Sequence, residues 1–152
     1  MAEFLYNAVQ GVPLNQAAIF DASIPCSRGN VFHEDGTGNF ILRGNISAPC
    51  CFARYQVVFN GNIALPEGAT TVTPIAVALT VNGEVRPTSR AIFTPAAAGD
   101  YGNVTSTAII TVPRGCCFNL ALRAVAASDD PTVTPAPLIN LQNANLVITR
   151  TA

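Results

Sequence analysis

The chain has 152 residues and a formal net charge of −1, with 11% charged and 49% hydrophobic residues. This length fits one domain, which can bury a core without covalent staples. The eight cations are all arginines and are scattered singly, so the sequence lacks the basic footprint of nucleic-acid and anionic-membrane binding. Soluble proteins have roughly 25% charged residues, and this deficit predicts that part of the surface is buried against copies of the same chain.

Residues 1–15 form an apolar segment ahead of the first predicted strand. Apolar side chains on a terminal extension would be unusual in water, so we expect them to be covered. They can pack along their own sheet, or they can reach a neighbouring subunit as an added strand. We therefore interpret residues 1–15 as an arm or connector and residues 16–152 as the folded domain. The candidate connector side chains are Phe4, Leu5, Val9, Val12 and Leu14.

Beyond the arm, the sequence predicts short strands throughout. Eleven glycines and eleven prolines separate runs rich in Val, Ile, Thr and Phe, and no amphipathic helix exceeds two turns. Asn82-Gly83 is typical of a two-residue hairpin turn. The predicted strands are Gln16–Phe20, Val31–Glu34, Asn39–Arg43, Phe52–Asn60, Thr73–Val81, Ser89–Thr94, Asn103–Val112, Phe118–Ala126, Leu138–Leu141 and Asn145–Thr151.

About ten strands at this spacing predict an all-β fold, a two-sheet antiparallel sandwich of jelly-roll type. Alternation within the strands supports this prediction, because Ala53, Tyr55, Val57 and Phe59 fall on one face of a single strand. Ser128–Pro137, which contains three prolines, is the one predicted long loop.

The tripeptide Cys-Cys-Phe occurs twice, and each copy opens an apolar run. Adjacent Cα atoms, about 3.8 Å apart, are too close for a relaxed disulfide, and neighbours on a strand point to opposite faces. We therefore expect one sulfur of each doublet to face inward and one to face outward. Connectivity is not readable from sequence, and a reduced protein with buried cysteines is the alternative. The candidate disulfide or cross-link residues are Cys26, Cys50, Cys51, Cys116 and Cys117.

Residues suited to catalysis or metal binding are sparse. His33 is the sole histidine, and a catalytic dyad would need a cysteine beside it, so we expect His33 at a strand edge or turn instead. The cysteine doublets lack the spacing of zinc ligands, and residues 33–39 lack the alternating acids of a calcium loop. The sequence thus predicts no enzyme, no catalytic residue, no metal and no cofactor.

Five segments between Gln16 and the C-terminal residue carry a family resemblance. They are Arg54–Ala64, the strand ending in Asn82-Gly83, Thr94–Ala97, Val112–Gly115 and Asn145–Arg150. Together they resemble the bacterial branch of the tumour-necrosis-factor (TNF) and complement globular-head superfamily, in particular the C-terminal heads of collagen-like spore-surface (exosporium) glycoproteins. The resemblance implies a jelly roll that forms tight homotrimers and serves as a structural or attachment module. The chain departs from that pattern in having cysteine doublets and no Gly-X-Y repeat.

These features predict a self-assembling structural protein that forms trimers or polymers of a particle surface, fibre or filamentous appendage, with disulfide cross-links. Its predicted partner is itself, with no nucleic acid and no membrane insertion. The start of the chain lacks a signal-peptide pattern, so we expect an extracellular or particle-surface location reached by lysis. Spore layer, virion and filament stay open. The alternative function is an attachment head that recognises a glycan or a host protein.

Overall fold

The computed structural model describes residues 1–24, 30–45 and 51–152. Over these ranges the chain forms eleven strands in two antiparallel sheets, which confirms the predicted all-β sandwich. Within the same ranges, no helix is long and apolar enough to cross a membrane. The strands are β1 Ala2–Pro13, β2 Ala22–Ile24, β3 Val31–His33, β4 Phe40–Arg43, β5 Phe52–Ala64, β6 Ile75–Val81, β7 Glu84–Val85, β8 Ala91–Phe93, β9 Gly102–Pro113, β10 Cys117–Val125 and β11 Leu138–Arg150, and a 3₁₀ helix spans Pro87–Ser89.

The two sheets join segments that are far apart in sequence. One sheet has five strands in the order β2-β1-β11-β5-β9, and the other has the order β3-β4-β10-β6-β7, with β8 also pairing β6. The first and last long strands lie side by side, with Ala2 opposite Ile148 and Pro13 opposite Leu138. The five-stranded sheet is therefore complete only when both ends of the described chain have come together.

The core lies between the sheets and follows the alternation read from the sequence. Ala53, Tyr55, Val57 and Phe59 of β5 are fully buried, and the intervening residues are outward. Strand β6 is buried on both faces: Ile75, Val77, Leu79 and Val81 contact the main core, while Ala76 and Ala78 form a second small cluster with Val125. The long β5 strand thus contributes one face to the core, whereas the shorter β6 contributes both.

Residues 1–15 lie against their own sheet in this structure, which is the first of the two arrangements that the sequence allowed. Strand β1 is paired with β2 on one side and β11 on the other. Phe4 and Val12 are buried in the main core, whereas Leu5 and Val9 face outward and Leu14 bridges to Ala124 of β10. The division into residues 1–15 and 16–152, with the first as a connector, stays a prediction.

Two strand predictions need correction. Gln16–Phe20 is not a regular strand: it crosses from one sheet to the other and pairs with β10 only at isolated points, with the Ala18 amide donating to the Leu122 carbonyl at 2.8 Å. It can pair there because β4 covers only the first part of β10. Leu138–Leu141 and Asn145–Thr151 belong to one strand, β11, which continues through a bulge where Asn143 adopts a φ of 53°.

The turns were better predicted than the strand ends. Asn82 and Gly83 both have positive φ, 52° and 83°, and join β6 to β7 as a two-residue hairpin. Ser128–Pro137 is a loop between β10 and β11, as expected. These positions were readable because the backbone conformation of a tight turn is set by its own residues.

Candidate assembly face

The outward face of the five-stranded sheet is a broad surface with few charged side chains. Four long strands, β1, β11, β5 and β9, expose alternate residues on it, and Glu3 and Arg54 are the charged ones. The other outward side chains are Leu5, Val9, Pro13, Asn140, Gln142, Asn145, Val147, Thr149, Phe52, Gln56, Val58, Asn60, Asn62, Asn103, Thr105, Thr107, Ile109, Thr111 and Pro113. We call this surface the assembly face.

Apolar side chains run across the middle of the assembly face. The pairing of Val58 with Val147 puts two β-branched side chains next to each other on adjacent strands. Val147 is opposite Glu3 on β1, and Val58 is opposite Thr107 on β9. Ile109, one pair further along β9, is 65% exposed, the largest value among the exposed apolar residues described. A monomer in water would leave this row uncovered.

Amide side chains occupy the next rows and bond to one another. The Asn103 side-chain amide donates to the side-chain oxygens of Asn60 and Asn62, at 3.0 and 3.1 Å, and the Asn60 amide donates to the Thr105 hydroxyl at 3.1 Å. Asn145 donates to the Glu3 carboxylate at 2.5 Å. These bonds hold short side chains flat on the sheet, so the face presents fixed polar groups without the mobility of long charged residues.

One end of the sandwich is closed by a polar cluster between the sheets. The Tyr55 hydroxyl donates to the carbonyls of Arg43 and Asn30, and the Arg150 guanidinium donates to the side-chain oxygens of Asn30 and Asn45. Burial raises the pKa of the Tyr55 hydroxyl above its ordinary value of 10.0, although the nearby Arg150 charge acts in the opposite direction. The neutral phenol therefore ties the two sheets together at this end.

The described cysteines lie at this same end. Cys51 immediately precedes β5, and Cys116 and Cys117 lie at the start of β10, as expected for strand openers. The backbone joins them, since the Arg114 amide donates to the Cys51 carbonyl and the Gly44 amide donates to the Cys116 carbonyl, both at 2.9 Å. A side chain at position 44 would lie about 2.1 Å from the Pro113 carbonyl, so only glycine allows this approach.

The expected inward sulfur is wrong for the second doublet. Cys116 and Cys117 are both exposed free thiols, because Cys116 lies in the turn before β10 and the alternation of the strand has not yet begun. Cys51 is exposed as well. Cys26 and Cys50 fall outside the described residues. The cross-link assignment of all five therefore stays a prediction.

His33 is held by backbone groups and aromatic rings. It ends β3, the edge strand of its sheet, which confirms its expected position. Its Nδ1 lies 2.9 Å from the Asn39 carbonyl and its Nε2 lies 3.1 Å from the Phe20 carbonyl, while its ring stacks on Phe40 at 4.2 Å. Both nitrogens face carbonyl oxygens, so the geometry is that of a packed structural histidine. Within the described ranges, no group of three or more metal-binding side chains converges.

Sequence reasoning missed the assembly face as a unit. It noted the low charge of the chain but could not assign it to a surface, because the face combines strands from residues 2–13, 52–64, 102–113 and 138–150. The signal that was available is the outward half of each strand, where Asn, Gln and Thr stand in place of charged residues.

No protein-family model and no curated protein matches the sequence. Among solved structures, the chain is similar to the globular domain of the zebrafish complement 1qA protein, with a TM-score of 0.58, 14% identity, and coverage of 96% of this chain and 94% of that one. At this identity the similarity shows the fold alone, a jelly roll of the TNF and complement-head type. That part of the predicted resemblance is confirmed.

Two further similarities are too weak to carry an argument. The C-terminal domain of EclA, a sugar-binding protein, covers 78% of this chain and 82% of that chain at 14% identity and a TM-score of 0.36. The CBM22-1 xylan-binding domain from Paenibacillus barcinonensis Xyn10C covers 99% of this chain and 87% of that chain at 12% identity and a TM-score of 0.34.

Proposed function

We propose that this protein is a self-associating structural head that forms homotrimers through the assembly face and builds a particle surface, fibre or filamentous appendage. The observation that carries the proposal is the composition of that face. It spans four long strands, presents the half-buried Val58 and Val147 and the exposed Ile109, and has Glu3 and Arg54 as its charged side chains. Depletion of charge with retained apolar and amide groups is typical of the core of a protein interface.

A comparison of the two sheets explains why the contact is assigned to this one. On the outward side of the six-stranded sheet, Ala76, Ala78 and Val125 are already buried, with Val85 and Ala127 of the same chain packed against them. The outward side of the five-stranded sheet has no comparable cover from the described residues. An uncovered apolar row on an otherwise neutral sheet is stabilised when a second copy removes it from water.

The cysteine end supports a cross-linked particle. Cys116 and Cys117 are exposed, so an oxidant and a neighbouring copy can both reach their sulfurs. We propose that they link subunits after release from a reducing cell. Electrophoresis without reductant tests this step: oligomer bands that collapse to the chain mass on reduction would support it, and a monomer band unaffected by reductant would contradict it. Electron microscopy of the same material would separate spore-layer, virion and filament architectures.

Light scattering after size-exclusion chromatography tests the assembly face. We expect a mass of three times 15.8 kDa for the wild type. Ile109→Arg places a cation at the most exposed apolar position of the face and should shift the mass to that of one chain. Ile92→Arg is the matched control, since Ile92 is 53% exposed but lies on β8 of the other sheet. A trimer that tolerates Ile109→Arg as well as Ile92→Arg would refute the proposed contact.

The attachment-head alternative lacks the feature that would favour it. Exposed aromatic rings in the described ranges are Phe32 on β3, Phe52 on β5 and Tyr101 beside β9. They lie on separate elements and form no cluster. We therefore do not extend this alternative to a binding site.

A further inference from the structure

Four of the eight arginines lie at one end of the sandwich, and exposed carboxylates lie at the other. The first of these ends is formed by four segments, residues 43–45, 51–54, 113–117 and 150–152. Backbone bonds join them: the Gly44 amide donates to the Cys116 carbonyl, and the Arg54 amide donates to the Ala152 carbonyl. These segments contain four arginines and no acidic side chain. We call this the basic end. Its arginines are Arg43, Arg54, Arg114 and Arg150.

The opposite end is acidic. It is formed by the loop after β5, the loop before β9 and the loop between β10 and β11, and the Gly99 amide donates to the Leu65 carbonyl at 3.0 Å to join two of them. Glu67 lies against Gly99, and Asp100 follows directly. These two carboxylates are exposed, and the loops from 65 to 73 and from 97 to 101 contain no cation. We call this the acidic end.

The same two strands connect the ends. Strand β5 runs from the Arg54 side to Glu67, and its neighbour β9 runs from Asp100 to Arg114. With 13 residues in β5, the ends are about 40 Å apart at about 3.3 Å per residue. The Debye length at physiological salt is about 8 Å, so the two ends of one molecule do not neutralise each other. A second molecule can bring opposite charges within this distance.

Within the described residues, Arg43, Arg114, Glu67 and Asp100 form no ion pair. The ion pair found in those residues joins Arg90 to Asp129 of the loop between β10 and β11. Arg150 is engaged by Asn30 and Asn45, and the exposed Arg54 lies over the Phe52 ring at 5.2 Å. Arg43 and Arg114 are exposed at the basic end as well. Glu67 stands at the rim of a groove of about 790 Å³ between the loops at 65–73 and 133–138, and all of the residues that line this groove are uncharged. Arg114 occupies the tip of the exposed Pro113–Gly115 turn, which is narrow enough to approach such a groove.

We propose that the basic end of one copy docks on the acidic end of the next, with the Pro113–Gly115 turn at the groove and Arg114 and Arg43 facing Glu67 and Asp100. The occupant is a second copy because this chain carries both complementary ends. The contact joins two different surfaces along one axis, so it does not close on itself and generates an open polymer. The inference rests on the proposed structural function and adds an axial contact to the lateral trimer.

Charge reversal with rescue by mixing tests the axial contact. One variant combines Arg43→Glu with Arg114→Glu, and the other combines Glu67→Arg with Asp100→Arg. We expect wild-type axial polymers in negative-stain images at about 50 mM salt and their dispersal at about 0.5 M, where the Debye length falls to a few ångströms. Each variant alone should lose at least ten-fold of the sedimenting polymer. A one-to-one mixture should recover it, because each reversed end then meets a complementary partner.

Two controls separate the possible failures. Arg86→Glu reverses an exposed arginine beside the 3₁₀ helix, outside the segments that form the two ends, and should polymerise like the wild type, whereas Arg114→Glu alone should not. Light scattering at high salt should give trimers for all variants. Trimers without wild-type axial polymers, or variants that the mixture fails to rescue, would overturn the axial contact alone; chain-mass particles in the wild type would instead overturn the proposed trimer.

Discussion

The Tyr55 hydroxyl allows the closure of the sandwich to be measured. Its ring is fully buried, and its oxygen lies 2.5 Å from the Arg43 carbonyl and 3.1 Å from the Asn30 carbonyl. Tyr55→Phe keeps the ring and removes this connection. A net hydrogen bond contributes about 0.5–1.5 kcal/mol, and a buried carbonyl left without a donor costs about 1–3 kcal/mol. We expect a loss of about 1–2 kcal/mol in the free energy of unfolding at pH 8, since the Asn30 carbonyl keeps its bond from the Arg43 amide.

The difference in the free energy of unfolding between the wild type and Tyr55→Phe should shrink as the pH rises above 10. Burial raises the pKa of Tyr55 above 10.0 in the folded state, so the folded protein keeps this proton at pH values where the unfolded chain has lost it. The contribution of Tyr55 to the free energy of unfolding is therefore complete below about pH 10 and falls as the pH rises from there towards the folded pKa, by at most about 1.4 kcal/mol per pH unit. Tyr55→Phe has no phenol at this position and lacks this contribution, so the stability difference between the two proteins should become smaller above pH 10.

Urea unfolding between pH 8 and pH 11, followed by circular dichroism at one protein concentration, measures the gap. Tyr101→Phe is the control, because Tyr101 is 41% exposed and its loss should change stability by less than about 0.5 kcal/mol. A gap that stays constant or widens above pH 10 would refute the account of Tyr55 as a neutral, buried donor. Equal stability at pH 8 would show that its hydroxyl does not hold the end closed.

Two further substitutions test local features with matched controls. Gly83→Ala should destabilise the fold by about 1–2 kcal/mol in thermal melts, because Gly83 has a φ of 83° and a side chain there is strained even in open space. Gly68→Ala is the control: Gly68 also lies in open space but has no positive φ, so the change should be neutral or slightly stabilising. Equal effects of the two substitutions would contradict the turn assignment. Ser89→Ala should lower the free energy of unfolding in urea by about 1–3 kcal/mol, because the Leu79 amide loses its buried acceptor, the Ser89 hydroxyl at 3.0 Å. Ser23→Ala, at an exposed serine, is the control and should leave stability unchanged. If Ser89→Ala is neutral, another group accepts the bond from the Leu79 amide.

Local features were predictable where a few neighbouring residues fix the outcome. The alternation of Tyr55, Val57 and Phe59 predicted the inward face of β5, and the Asn82-Gly83 pair predicted the hairpin between β6 and β7. The failures lie where a distant segment decides. Gln16–Phe20 has strand-like residues but meets only the uncovered part of β10, and the second cysteine doublet straddles a turn and a strand start.

The sequence by itself determined the strand-rich fold, the positions of the turns and the shortage of charge, because side-chain periodicity and turn conformation are properties of short stretches of chain. Only the tertiary structure decided that residues 2–13 lie beside β11, that the charge-poor half of four strands forms one face, and that four arginines meet at the end opposite Glu67 and Asp100. The physical reason is that strand pairing brings together residues up to 146 positions apart, as Ala2 and Ile148 are, and no local pattern encodes that partner.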